Sequence, residues 1–319
     1  MKFAFYVVVA CMLGLLTGCG RVGPLSDDGP LRVVATTTIV GDVVANVGGD
    51  AIDLHVLIPP GTDPHHAIFR PADLALASDA HLVFINGGRL EGQIDRLLRN
   101  VGDPDRIVSL DRNIAARRAH DHHHHHDHGH GHHHHHHHHD DVDPHFWTDP
   151  HNVMIWADTI AAALTEHRPE LADEFAARAA AYQEQLRELD AWILERVAQL
   201  PESNRRLVTD HLSLGYFADR YGFEQAAVIL PSFDTMAQPA ARHVASVIEA
   251  IRAQNVPAIF IGAAVNPALA SQIARDTGTQ LVVLPSDSLT TADGPAPDYL
   301  SYMRMIVDAL IDNLADSVH

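Results

Sequence analysis

Imidazole is the chemistry that this sequence concentrates. Of its 26 histidines, 16 fall between His120 and His139, in a block broken only by Asp and Gly. Neutral imidazole is the commonest metal ligand, and a short His-rich tract reads as a place where a transition metal binds. A purification tag would be terminal and uniform. This block is internal, carries Asp121, Gly129 and Asp140, and runs straight into Asp143-Pro144-His145-Phe146-Trp147-Thr148-Asp149-Pro150-His151, an aromatic stretch with the look of folded chain.

Around the block, the apolar pattern alternates between strand and helix. Leu31 to Thr37 is a β-branched run suited to a buried strand, followed by an amphipathic stretch to Val47 and a Gly48-Gly49 stop. Ile52 to Ile58 predicts a second strand, closed by Pro59-Pro60-Gly61, and Pro71 opens a short helix to Asp79. His81 to Ile85 predicts a third strand, Glu91 to Asn100 a helix and Arg106 to Leu110 a fourth strand. Beyond the block, Asn152 to Glu166 predicts one helix. Pro169 to Leu200 predicts another of roughly 30 residues, since Leu171, Phe175, Tyr182, Leu186, Leu189 and Ile193 recur at helical spacing. A second alternation follows: strand Arg206 to Thr209, helix Ser213 to Tyr221, strand Ala226 to Leu230, helix Pro239 to Gln254, strand Ala258 to Ile261, helix Pro267 to Thr277, strand Gln280 to Leu284 and helix Pro297 to Leu314. Repeated β-α units with short connections predict an α/β protein of two lobes, each with a mostly parallel sheet flanked by helices, joined by one long helix. The expected boundaries are 31–166 for the N-terminal lobe, with the His-rich loop at 117–142, 167–201 for the linking helix and 202–319 for the C-terminal lobe. A loop of that length is normally functional or disordered.

In open α/β sheets, ligands bind beyond the carboxyl ends of the strands. Four such places carry metal donors: His65 or His66 after the second strand, His145 beyond the fourth, His211 after the fifth and Asp287 after the last. Two come from each lobe, which predicts a site in the cleft between them. Three imidazoles and one carboxylate form a tetrahedral zinc set with bonds of about 2.0–2.2 Å. Asp63, Asp143 and Asp210 each stand within two residues of a candidate ligand. Each either orients an imidazole through its second ring nitrogen or caps a turn. His151 is placed on the first turn of the following helix rather than on the metal.

Residues 1–19 predict a targeting segment: Lys2 gives a positive start and Phe3 to Leu16 is apolar but short for a bilayer. Leu16-Thr17-Gly18-Cys19 resembles the bacterial lipobox, in which the Cys is lipidated and becomes the first residue. Cleavage there also removes Cys11, so neither a disulfide nor a thiolate metal site is expected. Residues 20–30 read as a flexible tether. The chain is therefore expected in the periplasm or on the outer face of the cell membrane, anchored through lipid on Cys19. A hydrophobic fraction of 46% and a charged fraction of 20% are those of a folded globular protein. The net charge of -19 argues against nucleic acid and anionic lipid surfaces as partners.

Five motifs stand in order along the chain: Gly61-Thr62-Asp63-Pro64-His65 with Arg70-Pro71-Ala72-Asp73; Asp143-Pro144-His145-Phe146-Trp147-Thr148-Asp149-Pro150; Thr209-Asp210-His211 with Gly215-Tyr216-Phe217; Ala258-Ile259-Phe260 with Val265-Asn266-Pro267; and Asp287-Ser288-Leu289. Together they resemble the zinc/manganese-type periplasmic metal-binding receptors of ABC transporters, the ZnuA-like solute-binding proteins, and among these the AztC subtype with its His-rich loop. The resemblance covers residues 31 to 315 and implies two α/β lobes joined by a long helix, with the metal between them. It implies His65, His145, His211 and Asp287 as ligands of one tight Zn2+. It also implies weak accessory sites on His120, His122, His123, His124, His125, His126, His128, His130, His132, His133, His134, His135, His136, His137, His138 and His139. Manganese receptors of the family usually place Glu where this chain has His211, and imidazole shifts preference toward zinc. His66 and Ala67-Ile68-Phe69 depart from the family's commoner residues.

The function expected from this resemblance is a high-affinity extracytoplasmic zinc receptor, a monomer and not an enzyme, that delivers its ion to an ABC-transporter permease. A periplasmic zinc metallochaperone is a compatible loading partner. The alternatives are a manganese receptor of the same family and a periplasmic zinc buffer or adhesin. A zinc hydrolase fits poorly, because the sequence has no His-Glu-x-x-His and four protein ligands leave no position for a reactive water.

Overall fold

The apolar runs assemble into two four-stranded sheets in the computed structural model, which describes residues 29–92, 104–118, 142–233, 235–285 and 287–315. The first sheet holds β1 (Leu31–Ala35), β2 (Ile52–Val56), β3 (Leu82–Ile85) and β4 (Ile107–Ser109) in the order β2-β1-β3-β4. The second holds β5 (Arg206–Thr209), β6 (Glu224–Val228), β7 (Ala258–Gly262) and β8 (Gln280–Leu284) in the order β6-β5-β7-β8. Every pairing is parallel. The two sheets therefore share one topology, and in each the strand order reverses beside the first strand, where a crevice opens at the carboxyl ends. β3 and β7 are buried along their whole length, as continuous apolar strands covered on both faces should be.

The helices are α1 (Thr38–Gly48), α2 (Pro71–Asp79), α3 (Pro150–His167), α4 (Ala172–Val197), α5 (Gly215–Tyr221), α6 (Ala241–Gln254), α7 (Ala268–Thr277) and α8 (Tyr299–Ala315). α4 buries Phe175, Tyr182, Leu186, Leu189 and Ile193 along one face. It packs against α1 and α3 from the first half of the chain and α8 from the second. At about 1.5 Å per residue its 26 residues extend roughly 39 Å, enough to flank both sheets. One apolar core consequently runs through both halves, from Phe84 through Trp147, Trp156 and Leu189 to Phe217, Phe260 and Ile306.

Several boundaries differ from the sequence expectation, each for a local reason. β1 ends at Ala35 because Thr37 turns to cap α1, its side chain accepting from the Val40 N–H. The long helix begins later than Pro169, because Pro169–Leu171 forms a separate 3-10 turn. α3 starts at Pro150, where a proline loses no helical hydrogen bond, and α5, α6, α7 and α8 start one to two residues late. β6 covers Glu224–Val228 rather than Ala226–Leu230, since it is an edge strand whose first side chains tolerate water. Ile229 and Leu230 still donate to the carbonyls of Thr209 and Asp210, at 2.9 and 2.6 Å, past the end of the strand. The helix expected over 91–100, the leader and tether up to residue 28, and 119–141 lie largely or wholly outside the described residues.

Candidate metal centre

Each donor lies in the connection that leaves the carboxyl end of a strand. After β2, Leu57 and Ile58 donate to the carbonyls of Ala35 and Thr36, carrying the chain to the Pro59-Pro60-Gly61 turn, with Gly61 at φ 74. A single 3-10 turn, Pro64–His66, then presents His65, and Asp63 starts that turn by accepting from the His65 N–H at 2.9 Å. The loop after β3 cradles the second donor: Asn86 Nδ2 donates to the Pro144 carbonyl at 2.9 Å. Gly88, at φ 59, admits this segment closely, since a Cβ there would stand 2.9 Å from the Pro144 Cα. His211 follows β5 directly, with the Asp210 N–H donating to the Phe260 carbonyl at 3.1 Å. Asp287 follows β8 in the left-handed region, at φ 63.

These four elements bring His65, His145, His211 and Asp287 together, with one donor atom from each lying within 4.8 Å of the others. Nε2 of His145 is 3.3 Å from Nε2 of His65 and 3.3 Å from Nε2 of His211. His211 Nε2 is 3.7 Å from Asp287 Oδ2. A tetrahedral ion with bonds of about 2.0–2.1 Å separates its donors by about 3.3–3.4 Å. His145 already holds that spacing to both other imidazoles, and the Asp287 carboxylate would have to approach His211 by only a few tenths of an ångström. His145 and His211 are fully buried and Asp287 nearly so.

The reverse side of two rings is fixed by carboxylates. Asp143 Oδ1 stands 2.8 Å from His145 Nδ1 and accepts from the His145 N–H at 3.0 Å. Asp210 Oδ1 stands 2.8 Å from His211 Nδ1 and accepts from the His211 N–H at 2.7 Å. Because a carboxylate only accepts, each Nδ1 carries a proton and each Nε2 faces the centre, where its lone pair is available to a metal once any second proton has left. Orientation and capping, which the sequence left as alternatives for these aspartates, are thus performed by the same oxygen. Asp63 behaves differently, capping the His65 turn and accepting from Thr235 Oγ1 at 2.5 Å across the cleft.

The charges suit a cation. Burial, then the neighbouring His145 and His211, hold His65 well below the usual imidazole range, so it is a neutral imidazole at neutral pH. For His211 burial opposes the cation, but the hydrogen bond and charge of Asp210, with Asp287 and Asp63, prevail and push it up to about 9. Burial raises the Asp287 carboxyl, only partly offset by the charges of His211 and His145. His211 and Asp287 therefore hold their protons more strongly than free side chains do, and coordination would release them.

His66 shares the His65 turn but is not one of the four. His151 lies on the first turn of α3, where its Nε2 accepts from Arg220 Nη2 at 3.2 Å, away from the cluster. Cys19 and the accessory histidines from His120 to His139 fall outside the described residues. Sequence reasoning missed the groups behind and above the donors. The Tyr302 hydroxyl accepts from Trp147 Nε1 at 3.1 Å and from the Asp287 backbone N–H, tying the His145 segment to the strained Asp287. The Phe233 ring centroid lies 6.1 Å from that of His145. No spacing in the sequence marks either residue.

Comparison with known proteins gives a consistent result. Residues 33–313 match the family described as "Zinc-uptake complex component A periplasmic", ZnuA. The chain is 27% identical over 314 residues to the manganese-binding lipoprotein MntA of Halalkalibacterium halodurans, covering 98% of each. It is 30% identical over 281 residues to the iron-binding protein YfeA of Yersinia pestis, covering 88% of this chain and 85% of the relative. The Mn-bound periplasmic metal binding protein of Candidatus Liberibacter asiaticus superposes with a TM-score of 0.76 at 25% identity, over 89% of this chain and 99% of that one. Among the described residues, no helix is long and apolar enough to cross a membrane.

Proposed function

This chain belongs to the ZnuA family of periplasmic metal-binding receptors for ABC transport, and from that premise we propose that it captures Zn2+ in the cleft and delivers it to a membrane permease. The observation that carries the reading is the convergence of three imidazole nitrogens and one carboxylate within 4.8 Å of one another, His145 standing at tetrahedral distance from both other imidazoles. Three nitrogens in four donors favour zinc over manganese, which sits lower in the divalent affinity order and prefers oxygen. His65, His145, His211 and Asp287 are the ligands of the tight site. Four protein donors fill a tetrahedral shell, which suits a carrier rather than a hydrolase.

The manganese reading has its own support, because relatives matching nearly the whole chain are named for manganese. Lipoprotein relatives also support an anchor on Cys19 outside the cytoplasm. The histidines between His120 and His139 add weak accessory sites, as a short His-rich tract offers many imidazoles to a transition metal. They would hold zinc for the cleft, whether it arrives free or on a periplasmic metallochaperone.

The test is zinc and manganese titration of the mature chain beside a version lacking residues 119–141. One tight zinc equivalent in both, weaker manganese binding, and weak zinc sites lost with the deletion are the expected results. Tighter manganese than zinc binding would overturn the zinc reading. Loss of all tight binding with the deletion would move the site to the histidine block.

A further inference from the structure

We propose that Arg117 is a positioning residue for the metal site, acting through Asp143 on His145. The inference deepens the reading above and rests on His145 being a ligand. Arg117 comes from the chain that enters the His-rich segment, immediately before the isolated bridge between Arg118 and Val142. Its side chain is 6% exposed and spans two acids, with Nη1 3.2 Å from Asp143 Oδ2 and Nε 2.8 Å from Asp219 Oδ2. Its main chain is bound as tightly. The Arg117 N–H donates to the Tyr216 hydroxyl at 3.0 Å, the same hydroxyl donates to the Asp143 carbonyl at 3.0 Å, and the Asp143 N–H donates to the Arg117 carbonyl at 2.8 Å.

Every polar group of Asp143 is therefore assigned. Oδ2 faces the guanidinium, which leaves Oδ1 aimed at His145 Nδ1, and rotation of the carboxylate would break both contacts at once. The carboxylate is completely buried, so removing its counter-charge would leave a buried charge with only His145 to answer it. The fold also leaves space for the pair. A Cβ at Gly215, the first residue of α5, would lie 2.3 Å from Arg117 Nη1 and 2.5 Å from Asp143 Oδ2. Asp210, the corresponding acid behind His211, is held differently: its second oxygen accepts from the Gly262 N–H at 2.8 Å. One of the two orienting acids is thus held by rigid backbone and the other by a single long side chain. The side chain is the adjustable one.

The experiment uses the full mature chain with Arg117→Ala, Arg117→Lys and Gly215→Ala. Zinc affinity is read by competition with a chromophoric chelator, ligand geometry by the visible spectrum of the Co2+-loaded protein, and folding by melting of the metal-free protein. Arg117→Ala should weaken zinc binding by roughly 10-fold, the low end for groups outside the ligand set, and change the Co2+ spectrum. Arg117→Lys should recover part of the loss. Gly215→Ala removes no charge and no ligand and improves helix propensity, yet should weaken zinc binding and shift the Co2+ spectrum in the same sense. Wild-type zinc affinity and an unaltered Co2+ spectrum in Arg117→Ala and Gly215→Ala would overturn the proposal, even with lowered melting temperatures. If Arg117→Ala does not fold, Arg117→Lys and Gly215→Ala decide by the same criteria. His145→Ala and His211→Ala run alongside. If they keep wild-type affinity the ligand assignment fails, whereas if they lose it and the Arg117 and Gly215 variants do not, only the role of Arg117 fails.

Discussion

Replacing Asp210 with Asn measures how much metal affinity is set by groups that never touch the metal. Asp210 is 3% exposed and uses both oxygens: Oδ1 serves the His211 N–H and Nδ1, at 2.7 and 2.8 Å, and Oδ2 accepts from the Gly262 N–H at 2.8 Å. An amide has one oxygen, so its NH2 must face a donor in either orientation. Lost orientation of a ligating imidazole costs about 10- to 100-fold in affinity, which is about 1.4–2.7 kcal/mol. A second effect has the opposite sign. In the metal-free protein burial opposes the His211 cation, but Asp210 outweighs it and pushes the ring up to about 9. At pH 7 zinc must displace that proton, at a cost of about 2.7 kcal/mol for two pH units. Asn carries no charge, burial then prevails, and the ring is neutral without that cost. Wild-type affinity should therefore rise roughly 100-fold from pH 7 to pH 9 through this group, while that of Asp210→Asn hardly changes. The variant should bind within about tenfold of wild type at pH 7 and fall 10- to 100-fold behind at pH 9. Chelator competition at the two pH values reads both numbers. An equal deficit at pH 7 and pH 9 would refute the coupling between orientation and proton displacement.

Further predictions follow from buried groups nearby. Because the folded-state value of His211 lies above its unfolded one, its contribution to metal-free stability is fully present below about pH 6.5 and lost as the pH rises through about 9. The metal-free melting temperature should fall across that window, and Asp210→Asn should flatten the decline. Asp42 on α1 is pushed up to about 6, chiefly by burial, despite the hydrogen bonds its Oδ2 accepts from the Tyr299 N–H and Tyr182 hydroxyl at 3.2 Å each. Its charged form costs stability that grows as the pH rises from about 4 to 6. Asp42→Asn should thus stabilise the protein at pH 7 by on the order of 1–3 kcal/mol and change little at pH 4, as urea unfolding at the two pH values would show. Tyr302→Phe strands Trp147 Nε1 and the Asp287 N–H. It should cost about 1–3 kcal/mol of stability and weaken zinc binding, and a wild-type melting curve would contradict this.

How far the site was legible in the sequence depends on the distance over which each residue acts. The four donors were legible because each lies in the chain that leaves the carboxyl end of a strand, His211 and Asp287 within three residues of it and His65 and His145 farther along, and in a parallel sheet those ends converge on one crevice. The parallel pairing in both sheets follows from the β-α alternation, whereas their shared strand order appears only in the fold, and α4 was legible because its apolar face recurs without a break. The aspartates were visible as residues but not as roles, because a carboxylate one or two positions from a histidine reaches both that residue's N–H and its ring. Only the fold shows that Asp143 and Asp210 do both and that Asp63 reaches instead to Thr235, 172 residues along the chain. Arg117 left no local signal, since its side-chain partners lie 26 and 102 residues away. Tyr302 left none either, since its partner Trp147 is 155 residues distant. The kinds of atom offered to the metal are therefore written locally, while the angles at which they are offered are set by contacts that no spacing records. Two chains with the same four donors can for that reason differ in affinity and metal preference through residues such as Arg117 and Tyr302, and comparing ligands alone would miss the difference.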